Sequence, residues 1–267
     1  MNLLPASRLM ALLLPAAMLP AAAFAQGFAA YISPPRFEVQ ADAGKPLRQV
    51  LEIQHVGQQK GNYRVYTADW TFNPDNSVSF STELAPDSCR PWVAIERREL
   101  SIEPGARYRY RFEINPPAGT PPRECRFALM VEGLDPAKVQ GNISFPVGGR
   151  IGVIVYAAIG GAAPQLSIST QQVVQVNGKP TATIDVRNTG NAHGRLEGFV
   201  NGTDAAGTQF EMSPADLPIL PGETRRVALS PVPENGKTAP EIRFPLSVKG
   251  SLEWGANRLP LDASFAP

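Results

Sequence analysis

Two cysteines, two histidines and scattered carboxylates are the groups in this 267-residue sequence best suited to chemistry. Cys89 and Cys125 form no C-x-x-C pair, which argues against a redox role; in an exported chain they oxidise to one disulfide. Closing a loop of that size contributes about 3–4 kcal/mol in the chain-entropy account. His55 and His193 fall in different halves, and neither has a cysteine or carboxylate at ligand spacing, so no zinc site is predicted. Asp42, Asp69, Asp75 and Asp87 lie in or near turns and read as solvated acids, without the regular order of an EF-hand loop. No G-x-S-x-G, H-E-x-x-H or glycine-rich phosphate loop occurs. The expectation is a protein that is not an enzyme and carries no metal or cofactor.

The elements that would position any site are strands. Valine, isoleucine, threonine and phenylalanine recur in short runs, and turn signals return about every 8 to 12 residues, the spacing of sandwiches and barrels. Tyr108 to Ile114 alternates cleanly after the Glu103-Pro104-Gly105 turn. Asn62 to Trp70 is aromatic and β-branched. The fold class predicted is all-β, with two sandwich domains. The N-terminal one covers 26–157, a small-residue hinge 158–164, and the C-terminal one 165–267. The last is read as strands near Gln165 to Val176, Thr181 to Arg187, Arg195 to Gly202, Thr208 to Met212, Thr224 to Leu229, Ile242 to Val248 and Ser251 to Trp254.

Ahead of the domains, Arg8 precedes an apolar run broken by Pro15 and Pro20 and ending in Ala23-Phe24-Ala25. That order is a secretory signal with cleavage expected after Ala25, and the prolines argue against a spanning helix. The formal net charge is +1 with acids and bases interspersed. No field is present that would gather nucleic acid, so no nucleic-acid partner is expected.

The closing strand of the first domain, Asn142 to Tyr156, is unusual. Ile143, Phe145 and Val147 alternate with Asn142, Ser144 and Pro146, and a proline within the run confines it to a sheet edge. An edge presenting large apolar side chains invites pairing unless a partner covers it. Two readings remain open from the residues alone: a strand built to be lent, or three side chains filling their own core.

Ser33-Pro34-Pro35-Arg36-Phe37-Glu38-Val39 with Ala43-Gly44-Lys45, Pro91-Trp92-Val93 through Leu100 to Gly105, and Arg150-Ile151-Gly152-Val153 together resemble the PapD-like periplasmic chaperones of the chaperone-usher pathway. In the second half the resemblance rests on Val186 to His193 and Leu220-Pro221-Gly222-Glu223. It implies two immunoglobulin-like sandwiches arranged as a boomerang, whose cleft grips a pilus subunit that lacks its last strand. The chaperone lends its closing strand to that gap, and a basic pair binds the subunit's C-terminal carboxylate. Arg36 falls on the first basic position, and Ile143, Phe145 and Val147 on the apolar triplet. The second base falls on Gly152, which has no side chain to offer. Arg150, two residues upstream with the same strand parity, is the substitute to test against a merely solvated edge charge.

The resemblance further implies a periplasmic location, pilus subunits and an outer-membrane usher as partners, and self-association through the lent strand. The alternative is an exported structural or adhesive Ig-like protein of the envelope or fimbria.

Overall fold

The structure is a computed structural model that describes residues 28–135, 148–233 and 238–267. The predicted secretory signal and the triplet Ile143, Phe145 and Val147 lie outside the described residues. No described helix is long and apolar enough to cross a membrane.

The first domain contains β1 (Ala30–Ser33), β2 (Arg36–Ala41), β3 (Leu47–His55), β4 (Gly61–Phe72), β5 (Val78–Ser81), β6 (Val93–Ile95), β7 (Glu99–Ile102), β8 (Arg107–Ile114), β9 (Arg123–Gly133) and β10 (Arg150–Ile159). One sheet runs β1-β3-β8-β6. The other runs β2-β10-β9-β4-β5, with β7 also on β4. Alternation sends Leu51 and Ile53 of β3, and Tyr110, Phe112 and Ile114 of β8, into the space between the sheets. There they meet Phe127, Leu129 and Val131 of β9 and Val153 and Val155 of β10. Each such side chain removed from water contributes about 1.5–3 kcal/mol.

Strand β9 is buried without interruption from Phe127 to Val131. Its even positions face the other way, where Ala128 and Met130 form a second apolar cluster with Ala68, Tyr66, Trp70, Phe80 and Ile154. The outer face of this sheet is therefore covered, not wet, and this sets the floor of the site described below.

Cys89 and Cys125 are bonded, with their Cα atoms 5.7 Å apart. Alanine at both positions is expected to lower unfolding free energy by about 3–4 kcal/mol, because it opens a loop spanning 36 residues of sequence. Urea melts of the oxidised native protein and the double variant measure the difference. A loss under about 1 kcal/mol would contradict the loop-closure account.

The second domain holds β11 (Leu166–Val176), β12 (Lys179–Asn188), β13 (Val200–Thr203), β14 (Gln209–Pro214), β15 (Thr224–Pro231), β16 (Leu246–Trp254) and β17 (Asn257–Phe265). The pairing order is β11-β12-β15-β14-β13-β16-β17. Three strands form one layer and four the other, joined where Met212–Pro214 pairs with Leu229–Pro231. The molecule is thus all-β with two Ig-like sandwiches.

Details differ from the sequence reading. The predicted strands Ile242 to Val248 and Ser251 to Trp254 merge into a single strand, β16, which starts only at Leu246 and continues through Gly250. The predicted strand Arg195 to Gly202 begins only at Val200. Strand β17 was not anticipated, although Leu259, Leu261, Ala263 and Phe265 alternate inward with period two. Asp69 is no solvated turn acid: it accepts from Ser88 Oγ at 2.7 Å, Ala85 N at 3.0 Å and Arg90 Nη1 at 3.3 Å.

Candidate functional site

The site begins with a change of partner along one chain segment. Strand β1 pairs antiparallel with β3 in one sheet, Pro34 and Pro35 interrupt the ladder, and β2 then pairs parallel with β10 in the other. Proline has no N–H to donate, so a switch between sheets falls naturally there. The register starts with Arg36 opposite Ile154 and ends with Ala41 opposite Ile159. Only the second half of the β10 edge is covered. Arg150 to Val153 pairs with Glu132 to Leu129 of β9 on one side, and among the described residues no strand lies on the other. Arg36 stands where the cover begins.

Alternation puts Arg36 and Glu38 on the outer face, beside Ile154 and Tyr156. The second domain closes over this face. Arg36 Nε lies 2.7 Å from Glu38 Oε1 and Nη1 lies 3.1 Å from Asp216 Oδ2. Arg195, from the second domain, mirrors it: Nε is 3.1 Å from the same Glu38 oxygen and Nη1 is 2.7 Å from Asp216 Oδ1. Two guanidiniums thus share two carboxylates. Arg195 is nearly buried, with a side chain 10% exposed, whereas Asp216 is 64% exposed. Beside the pair opens a cavity of about 280 Å³, walled by Trp70, Phe72, Ile154 and Tyr156 and closed by Leu217 and Pro218.

Glu38 is pulled down to about 2. The His193 imidazole, with Nε2 3.7 Å from Glu38 Oε1, is the main cause, burial opposes it, and the Arg195 and Arg36 charges add to it. His193 is itself the hub of a deeper contact. Its Nδ1 lies 2.5 Å from Glu124 Oε2, which also accepts its backbone N–H at 2.9 Å, and its ring stacks on Tyr156 at 3.7 Å. Burial lowers the imidazole pKa, but Glu124 and Glu38 outweigh it, and the net shift is upward. Asn188 prepares this loop. Its amide donates to the Ala192 and Ile219 carbonyls, and its oxygen accepts from Gln165 N and Gly190 N, so every bonding position of the buried side chain is used.

A second bridge between the domains is Arg225, whose guanidinium lies 3.9 Å over the Phe72 ring. It donates to Asn73 O at 3.2 Å and Asn76 Oδ1 at 2.9 Å, and pairs with Glu223.

Of the residues predicted for the site, Arg36 is in the cleft and Arg150 is not. Arg150 pairs across from Glu132, four residues along β10 from Ile154, or about 13 Å at the usual strand rise. Gly152 is filled space: a Cβ there would lie 2.5 Å from Phe80 Cζ and 3.0 Å from Met130 Sδ. Gly152→Lys, which would restore the expected base, must displace that ring and is expected to cost about 1–3 kcal/mol, read as a shift in denaturant midpoint. Arg195, Asp216, Glu38, Glu124 and His193 were not picked out from sequence. Glu38 had a signal, being two residues from Arg36 and hence on its face; the others had none. Among the described residues no group of three or more His, Cys, Asp or Glu is placed to hold a metal.

The fold and cleft define a two-sandwich protein with a half-open strand edge that ends at an arginine. No family model matches the sequence, and comparison with curated proteins finds no match. Solved structures are similar over nearly the whole chain. The class 5 fimbriae chaperone CfaA is 13% identical, with 89% of this chain and 99% of that one covered at a TM-score of 0.48. The E. coli chaperone DraB is 12% identical, with 90% and 98% covered at 0.48. The Pseudomonas aeruginosa CupB2 chaperone is 11% identical, with 88% and 100% covered at 0.46. At these identities the likeness is one of architecture, and the functional reading rests on the geometry of this chain.

Proposed function

We propose that this protein is a periplasmic chaperone that captures a strand-deficient pilus subunit along the open part of β10 and passes it to an outer-membrane usher. The observation that carries the reading is the half-covered edge. A partner strand laid on Arg150 to Val153 gains main-chain hydrogen bonds that depend little on its sequence, while its alternate side chains set selectivity. If it runs parallel to β10, in line with β2, its last residue arrives at Arg36, where a guanidinium can fork onto a terminal carboxylate. An antiparallel strand would bring its ammonium to the same cation and be repelled. Charge therefore selects direction.

The triplet Ile143, Phe145 and Val147, which precedes β10 in sequence, is the proposed set of apolar groups to be lent. The N-terminal signal sequence supports export to the periplasm.

The test is co-expression, with export, of this chain and a fimbrial subunit that lacks its final strand. A one-to-one complex in the periplasmic fraction is expected, and Phe145→Glu should abolish it while leaving the circular dichroism of the chain unchanged. A subunit that stays soluble on its own would sink the chaperone reading and favour the envelope or fimbrial component.

A further inference from the structure

We infer that Arg36 and Arg195 form one carboxylate-binding site split between the two domains, and that Asp216 occupies it in the free protein as a removable stand-in for the ligand. The physiological ligand, a partner's C-terminal carboxylate, rests on the strand-capture reading; the site and its stand-in do not.

The two carboxylates between the arginines are unlike one another. Glu38 is built into β2 and takes both Nε groups on a single oxygen, at 2.7 and 3.1 Å. Asp216 belongs to the segment after β14, is 64% exposed, and spreads its two oxygens, Oδ2 to Arg36 at 3.1 Å and Oδ1 to Arg195 at 2.7 Å. That is the arrangement a foreign carboxylate would adopt between two guanidiniums. The cavity opening beside it, about 280 Å³ and lined by all three residues, gives the newcomer room.

Charge balance favours an exchange. Two guanidiniums face two carboxylates, so replacing Asp216 by another carboxylate leaves the net charge unchanged, and no uncompensated ion is left in a partly buried site. Asp216 can turn into solvent because it is already mostly exposed. Arg195 cannot leave: its side chain is 10% exposed, and its guanidinium lies 5.9 Å over the Tyr156 ring. The second domain thus supplies one of the two bases, and in the free protein it also supplies one of the two carboxylates that neutralise them. A ligand competes with an internal carboxylate, which excludes weak binders.

The probes are acetate and a ten-residue strand-forming peptide, made as the free acid and as the C-terminal amide. Acetate is titrated into the isotope-labelled mature protein while the Nε–H resonances of Arg36 and Arg195 are followed. Asp216→Asn should bring both resonances to half-saturation at about tenfold lower acetate than the native protein, the value of about one charged hydrogen bond. Asp185→Asn removes an equal charge from an ion pair with Arg226 elsewhere, and should titrate like the native protein. Equal midpoints for Asp216→Asn and native, or an equal gain for Asp185→Asn, would overturn the site. With the peptides, followed by fluorescence anisotropy, Asp216→Asn should tighten the acid about tenfold and leave the amide unchanged; equal gains for both overturn the exchange. An acetate response with no binding of either peptide upholds the exchange and rejects strand capture.

Discussion

His193→Leu is expected to cost about 3–5 kcal/mol of stability, the usual penalty for leaving one member of a buried ion pair alone. Glu124 is the member left behind. Its carboxylate is 2% exposed; after the substitution it keeps only the backbone N–H of residue 193 and Arg126 Nε at 3.7 Å. Leucine retains bulk against Tyr156, so the loss is electrostatic and not a cavity effect. His193→Gln, which restores a donor, should recover part of it.

The same pair gives the protein a pH signature. Because the folded pKa of His193 is raised above 6.5, its contribution is fully present below about 6.5 and is lost as pH rises through the folded value. The native protein should therefore weaken on the alkaline side of that window, and His193→Leu should be flat across it. Glu38 acts in the opposite sense. Lowered from 4.5 to about 2, it contributes above about 4.5 and loses its share as pH falls toward 2; with its side chain 41% exposed, that share is small. Tyr156, pushed up to about 12 mainly by burial, stays neutral throughout. The groups facing the imidazole are thus Glu124, Glu38 and Tyr156, and His55, held between Tyr63 Oη and the Gln59 carbonyl at 2.5 Å each, is common to both proteins. Thermal melts of native and variant protein at half-unit steps from pH 5 to about 8.5 carry the test. A native protein whose stability does not decline above pH 7 relative to the variant would refute the assignment.

Arg36→Ala is expected to weaken capture of a strand-deficient subunit by roughly 30-fold to more than 1000-fold, the range for truncating one partner of a desolvated charge pair. Stability should change by less than about 1 kcal/mol, because the arginine is 41% exposed and its ion pairs are screened. Arg36→Lys should fall between, since an ammonium cannot fork onto two oxygens. Co-purified yield and direct titration with a subunit's C-terminal peptide both read the effect. Undiminished binding by Arg36→Ala would remove the carboxylate anchor while leaving edge pairing to be judged by Phe145→Glu.

Much of the architecture was written locally. Period-two alternation groups Leu51, Ile53 and His55, and Tyr110, Phe112 and Ile114, each on one face, and in the structure those are the buried faces, because a strand offers only two faces and one must leave water. The same alternation runs through Leu259, Leu261, Ala263 and Phe265 of β17. Arg195 to Phe199 is different. It looks like a strand start, yet these residues bend against β16 through a single bridge from Glu197 to Glu253, a preference set by packing and not by propensity.

Sequence alone determined that the chain is all-β and double and that its two cysteines can bond, while Arg36 entered only through the resemblance. Strand periodicity, turn chemistry and the export signal are short-range properties, and each is legible within about a dozen residues. Tertiary structure alone decided what surrounds that arginine. Glu38, Asp216 and Arg195 converge on it from β2 and from two segments of the other domain, and His193 meets Glu124 across 69 residues of sequence. Charges separated in that way leave no periodic trace, because only the closing of one sandwich onto the other brings them within reach.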